Sequence, residues 1–211
     1  MKSEQDISGY LYDNADFSHA HGFLLPGLMS VLNRPDFADG RRNIFELGCG
    51  NGAIANHLTE NGWTVAGVDP SEQGIDTARR QYPNIQLELG SAYDDLALKY
   101  GTFPIVISLE VVEHVYAPRD YAATLYSLVD KGGVAILSTP YHGYIKNLAM
   151  ALTGKMDSHF TALWDHGHIK FWSMRTLTIL LEEAGFSDIE FTRVGRIPPL
   201  AKSMIAIARK S

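Results

Sequence analysis

The chain has 211 residues, 45% of them hydrophobic and 20% charged, enough to bury one sizeable core, so a single domain over 1–211 is expected. A net charge of −6 argues against the broad basic surface that nucleic acid requires, and the one cysteine, Cys49, excludes an intrachain disulfide and suits a reducing, cytoplasmic setting. No uninterrupted apolar run reaches the roughly 18 residues that span a bilayer, and the polar, acidic residues 1–6 do not read as an export signal. The first regular element is an apolar helix over Phe23–Leu32, ended near Pro35, and the turn Gly40-Arg41-Arg42 leads into the first strand.

That strand opens the most informative segment, Ile44-Phe45-Glu46-Leu47-Gly48-Cys49-Gly50-Asn51-Gly52. Its glycines remove side chains where the backbone must turn sharply and approach a nucleoside-type ligand. A helix expected over Ile54–Asn61, closed by Gly62, turns its first N–H groups toward that ligand. A second apolar run, residues 64–68, ends in Asp69 and Pro70, where a carboxylate can take both hydroxyls of a ribose at the carboxyl edge of a doubly wound sheet. Gly48, Gly50 and Ala53 also satisfy G-x-G-x-x-A, so the glycines alone fit a nicotinamide dinucleotide as well. Glu46 tips the balance: an acid two residues before the first glycine suits the cationic amino-acid and sulfonium end of S-adenosylmethionine and repels a pyrophosphate. Cys49 reads as a small residue filling the turn rather than as a catalytic thiol.

With E-x-G-x-G-x-G followed by Asp69, the chain resembles the class I S-adenosylmethionine-dependent methyltransferases over nearly its whole length. The resemblance implies an α/β fold, a doubly wound, seven-stranded, mostly parallel sheet with an antiparallel last strand. It also implies a cofactor site on Glu46, Gly48, Cys49, Gly50, Asn51, Asp69 and Pro70. Residues 1–40, with Tyr10-Leu11-Tyr12 and His19-Ala20-His21, would form a lid.

Further along, Ser71 caps a helix running to about Gln81, and Ile85–Leu89 is the third strand. Gly90-Ser91-Ala92 then stands where the family usually carries Gly-Asp-Ala, so Ser91 and Ala92 are expected at the adenine, a hydroxyl replacing the stronger carboxylate acceptor. Pro104 replaces another frequent family acid, and Asp94 and Asp95 read as turn or cap residues. The fourth strand, Phe103–Leu109, is a continuous apolar run but for Ser108, as a strand buried on both faces is expected to be. It ends in Glu110-x-x-Glu113-His114, which looks like the E-x-x-E-H element of the ubiquinone-biosynthesis O-methyltransferases, where the acids and the histidine are associated with a divalent metal such as Mg2+. The resemblance thus implies Glu110, Glu113 and His114 as metal ligands. A metal-free pocket, with Glu110 at the cofactor and the acids matched to the sulfonium, fits the same residues.

The fifth strand, Val134–Ser138, follows the Lys131-Gly132-Gly133 turn. Residues 139–172 are too long for a simple connection and are expected to cover an active site. They hold His142, His159, His166 and His168 among many aromatics, a set able to bind a planar ring and supply a base, although each histidine alone reads more simply as a satisfied loop residue. His114, His166 and His168 are the candidates for removing a proton from an acceptor. Within this region Tyr144–Leu152 groups Ile145, Leu148, Ala149, Met150 and Leu152 at helical spacing, a stripe expected to be core, with peripheral membrane contact the alternative. A helix over Met174–Ala184, stopped by Gly185, precedes two β-type runs, Ile189–Val194 and Met204–Ala208, that pair antiparallel.

The expected function is methyl transfer from S-adenosylmethionine to a small-molecule acceptor, with the oxygen of a phenol- or quinol-type compound foremost. A nicotinamide-dependent oxidoreductase is the alternative, although Tyr141 and Lys146 miss the Tyr-x-x-x-Lys spacing by one position. A non-catalytic protein that binds the adenosyl cofactor is another, and oligomeric state is left open.

Overall fold

The apolar runs become the strands β1 (Asn43–Leu47), β2 (Thr64–Asp69), β3 (Gln86–Leu89), β4 (Phe103–Leu109), β5 (Val129–Pro140), β6 (Ser187–Val194) and β7 (Ser203–Arg209). The computed structural model describes residues 14–17, 20–37, 42–164 and 167–211. Among these, the helices are α1 (His21–Leu32), α2 (Ala53–Glu60), α3 (Glu72–Gln81), α4 (Leu96–Tyr100), α5 (Pro118–Leu128), α6 (Tyr144–Leu152), α7 (Met156–Phe160) and α8 (Met174–Ala184). One seven-stranded sheet has the order β3-β2-β1-β4-β5-β7-β6. Neighbouring pairs from β3 to β5 are parallel, and β7 runs antiparallel to both β5 and β6.

Side chains alternate across this sheet with the two-residue period of a strand. Phe45, Leu47, Val106, Ala135 and Leu137 face one core with Leu125 of α5 and Leu181 of α8, whereas Ile44, Ile105, Ile107 and Ile136 face another with Leu28 of α1 and Leu58 of α2. Chain order reverses between β1 and β4, so the loops that leave these neighbouring strands flank a crevice at their carboxyl ends. One is the glycine loop and the other begins at Glu110.

Local signals account for the helix boundaries. Ser71 accepts a hydrogen bond from Gly74 N at 3.1 Å and starts α3, Ser173 and Thr176 form a capping box at α8, and Gly185 ends α8 at φ 106°. Two expectations need correction. β5 begins at Val129, not Val134, because the Lys131-Gly132-Gly133 turn is an irregularity within the strand, where pairing to β4 jumps from Val129 to Val134. The apolar stripe of α6 is not core: Tyr144 is 81% exposed and Leu152 79%, while Lys146 is the buried residue of this helix. Lys146, Ala149, Met150 and Thr153 share one face at helical spacing, and that face lines a cavity, leaving the broader apolar face outward.

Candidate functional site

The glycine loop is fixed by its neighbours before any ligand is considered. Gly48 N and Cys49 N donate to Val68 O at 2.8 and 3.0 Å. The Asp69 carboxylate accepts from Gly50 N at 2.9 Å through Oδ2 and from Ser71 N at 2.8 Å through Oδ1, tying the turn to the end of β2. Gly48 has φ 89°, and a Cβ there would collide with Val111 Cγ2 from the loop after β4. The crevice thus requires glycine both for its backbone and for the closeness of the two loops.

A cavity of about 1380 Å³ opens over this crevice. Glu46, Gly48, Cys49, Gly50 and Asn51 line it after β1, and Asp69 and Pro70 after β2. Ser91 and Ala92 line it after β3, and Glu110 and His114 after β4. Glu46 is 2% exposed and its Oε2 has no hydrogen-bond partner. Burial, reinforced by Asp69, holds its carboxyl well above the usual range. Burial and the same two acids push the Cys49 thiol up, which leaves it a packing residue rather than a nucleophile.

The side-chain amide of Asn51 donates to Asn14 O at 2.9 Å and Asp16 O at 3.0 Å, and the Tyr82 hydroxyl donates to Ala15 O at 3.0 Å, so residues 14–16 are strapped to the loop. Asp16, Phe17 and His21 line the cavity, while Tyr10-Leu11-Tyr12 and His19 lie outside the described residues. Asp94 and Asp95 serve as turn and cap: Asp94 Oδ2 accepts from Ser91 N at 2.7 Å, and Asp95 Oδ1 accepts from Leu98 N at 3.3 Å at the start of α4.

Beyond β4 the chain turns sharply at Glu110, whose φ of 54° is in the left-handed region. Such a conformation costs on the order of 1–3 kcal/mol in a residue with a Cβ. Ser138 holds it: Glu110 N donates to Ser138 O at 3.1 Å and to its Oγ at 3.0 Å, and that hydroxyl donates to Glu110 Oε1 at 2.8 Å. Burial raises the Glu110 carboxyl to about 7 against the opposing pull of Ser138, Ser203 and Lys146.

The expected trio of Glu110, Glu113 and His114 does not assemble, because the Glu110 carboxylate is turned to the two serines. Instead ligand-type atoms of Glu113, His114 and His168 lie within 4.8 Å of one another. Glu113 is 1% exposed, behind the cavity wall, and neither carboxylate oxygen has a hydrogen-bond partner. Burial, with Glu110 adding to it, holds this acid well above the usual range. His168 Nε2 is 4.0 Å from Glu113 Oε1, and Glu113 O accepts from Ile169 N and Lys170 N at 2.9 and 3.0 Å, which fixes the histidine-bearing loop.

His168 packs edge-on to His114 with centroids 4.9 Å apart, and both line the cavity beside Trp164. Burial and then the His114 and His159 rings lower His168 to about 4, so its imidazole is neutral at pH 7. His166 lies outside the described residues. His142 is buried among Phe160, His159 and Phe171 and packs the region rather than lining the cavity.

Lys146 was not among the residues singled out as site residues from the sequence. It is 9% exposed, with Nζ donating to Tyr141 O at 2.8 Å and Lys202 O at 3.3 Å. Its helical spacing from Ala149, Met150 and Thr153, a narrow face opposite the broader apolar one, is the sequence signal for it. Lys146 bonds the Tyr141 carbonyl and not its phenol, so the two do not form the acid pair of a nicotinamide-dependent oxidoreductase.

Residues 18–190 match the family described as the methyltransferase domain. The chain belongs to the class I S-adenosylmethionine-dependent methyltransferases. A ubiquinone biosynthesis O-methyltransferase of Dinoroseobacter shibae is 31% identical over 166 residues, 75% of this methyltransferase and 65% of the relative. The chain therefore spans less than two thirds of that relative's length. The enzyme of the same name from Thiobacillus denitrificans is 29% identical over 183 residues, 85% of this chain and 78% of its own. Among solved structures, the magnesium protoporphyrin IX methyltransferase of Synechocystis, with bound S-adenosylhomocysteine, superposes with a TM-score of 0.64 at 22% identity, covering 89% of this methyltransferase and 82% of that chain. At that identity the likeness shows the fold. No helix among the described residues is long and apolar enough to cross a membrane.

Proposed function

We propose that this methyltransferase transfers the methyl group of S-adenosylmethionine to an oxygen of a small phenol- or quinol-type acceptor. The observation that carries the proposal is the continuity of one cavity from the glycine loop, with Glu46 and Asp69, to the His114–His168 pair. Glu46 and Asp69 face the cationic end and the ribose of the cofactor, with Gly48, Cys49, Gly50, Asn51 and Pro70 forming the loop against it. Ser91 and Ala92 meet the adenine, and Glu110 stands between cofactor and acceptor.

Methyl transfer requires a nucleophile in line with the departing sulfur, so positioning supplies much of the rate. A phenol must also lose its proton, and the His114–His168 pair at the cavity wall supplies the base, with His166 a further candidate. The two relatives named as ubiquinone biosynthesis O-methyltransferases support an oxygen acceptor. The whole of residues 1–211 acts as one domain in this account, with residues 1–40 and 139–172 closing over the cofactor and acceptor.

A divalent cation fits Glu113, His114 and His168 on one ground, the two buried oxygens of Glu113 that have no hydrogen-bond partner. Bound there, such an ion would supply Lewis acidity that lowers the pKa of an acceptor hydroxyl. The exposed apolar face of α6, Tyr144, Ile145, Leu148 and Leu152, supports peripheral contact with a bilayer or an apolar carrier.

The test is incubation with methyl-labelled S-adenosylmethionine and a panel of catechols and hydroxyquinols, with and without chelator, and mass spectrometry of the products. An O-methylated product is expected. Methylation confined to nitrogen or carbon would overturn the oxygen assignment, and full activity under chelation would remove the cation.

A further inference from the structure

Resting on the methyltransferase reading of the cavity, we propose that the acceptor carries an anionic group, a carboxylate or phosphate, seated against Lys146 and Arg196 at the α6 end. The charges lining the cavity are divided. Asp16, Glu46 and Asp69 belong to the glycine-loop end, whereas Lys146, Lys155, Arg196 and Lys202 come from α6, the turn after it and the β6–β7 connection, with Glu110 the one lining acid that faces Lys146. In sheet order β7 stands three strands from β1, so the two ends are separated by about 14 Å at the usual strand spacing. For a chain of net charge −6, four cations gathered on one wall are not a sample of its average surface.

Lys146 carries most weight. Its buried ammonium donates to two main-chain carbonyls and forms no salt bridge among the described residues, so it has neutral acceptors for two of its three N–H donors and no ionic partner. Its charged neighbour Arg196 repels it, and burial with that repulsion lowers it to about 8. The acid that faces it, Glu110, is hydrogen-bonded to Ser138 and Ser203 and raised to about 7, so it offsets the charge only in part. His159, which also lines the cavity, feels Lys146 as a further positive charge. Arg196 is exposed and forms no salt bridge among the described residues, leaving its planar fork available for a carboxylate or phosphate. A buried ammonium only partly compensated by Glu110, beside a guanidinium without a salt bridge, is the arrangement that an anion stabilises and a neutral ring does not.

The test compares 3,4-dihydroxybenzoate with its neutral isostere 3,4-dihydroxybenzamide, each titrated calorimetrically into the full chain saturated with S-adenosylhomocysteine at pH 7. The acid is expected to bind about tenfold more tightly than the amide through a charge-assisted contact. Arg196→Ala, a change at an exposed position that leaves the fold intact, should shrink the gap to about twofold, and Lys146→Met should do the same. A 3,4-dihydroxyphenylphosphonate arm separates the anions: tighter binding than the carboxylate assigns the subsite to phosphate, and weaker binding assigns it to carboxylate. If neither anion binds more tightly than the amide, or if the gap survives Arg196→Ala unchanged, the inference is overturned. S-adenosylhomocysteine binding is read first in the same cell, so its failure would overturn the methyltransferase reading itself, whereas cofactor binding without anion preference removes the subsite alone.

Discussion

The two ends of the cavity are built in opposite ways. The glycine-loop end is made of main chain, with positive-φ glycines, N–H groups tied to Asp69, and two buried acids. The α6–α7 end is made of side chains, histidines, Trp164 and cations, that reach it from segments far apart in sequence. A site formed by backbone tolerates few residue types, because each glycine answers to a dihedral angle or a close approach. A site formed by converging side chains admits many solutions, and its chemistry depends on what the fold brings together. In the proposed division, the first end binds the cofactor and the second handles the acceptor and its proton.

The largest expected effect separates these roles. His168→Ala should lower kcat by about 10²–10⁴-fold, the contribution of a positioned base, while S-adenosylhomocysteine affinity stays within about twofold. A matching loss of cofactor affinity would break the division. Gly48→Ala tests the other end: the new Cβ meets Val111 at a positive φ, so thermal or denaturant unfolding should report a loss of about 1–3 kcal/mol, together with weakened cofactor binding. Wild-type stability and affinity in this variant would show that the loops can separate. Asp69→Ala should weaken cofactor binding by about 1–3 kcal/mol with little change in the acceptor KM, measured by calorimetry and steady-state kinetics.

Smaller effects sharpen the boundary between the ends. Glu110 is raised to about 7 in the fold from an ordinary value of 4.5, so the folded state retains a proton that the unfolded chain has released. Its contribution to stability is full below about 4.5 and is lost as pH rises through about 7. Glu110→Gln should therefore flatten the decline of Tm between pH 5 and 7.5, and an unchanged slope would assign it to Glu46 or Glu113, whose carboxyls are also raised. Least of all, Ile145→Ser on the outer face of α6 should alter stability by no more than about 0.5 kcal/mol. A larger loss would mean that this face is covered.

The same contrast explains what the sequence made legible. β4 was readable to the residue because a strand buried on both faces is apolar nearly throughout, Ser108 excepted, and α8 because Gly185 marks its end. The residues that line the glycine-loop end of the cavity were readable because glycines and acids at strand ends have few other uses. The antiparallel last strand came from resemblance, since periodicity shows strands and not their neighbours. The grouping of Glu113 with His168 was hidden because the Ile169 and Lys170 bonds to Glu113 O span more than fifty positions. α6 was misread because its apolar residues outnumber the inward face, and the solvent side of an amphipathic helix is ordinarily its polar one.

The measurement that bears most directly on the central claim is calorimetric titration of the full chain with S-adenosylmethionine, S-adenosylhomocysteine and NADH in parallel. The expected result is micromolar binding of both adenosyl ligands, weakened by about 1–3 kcal/mol in Asp69→Ala, with no heat from NADH. Binding of NADH without the adenosyl ligands would contradict the cofactor assignment and give the cavity to a dinucleotide.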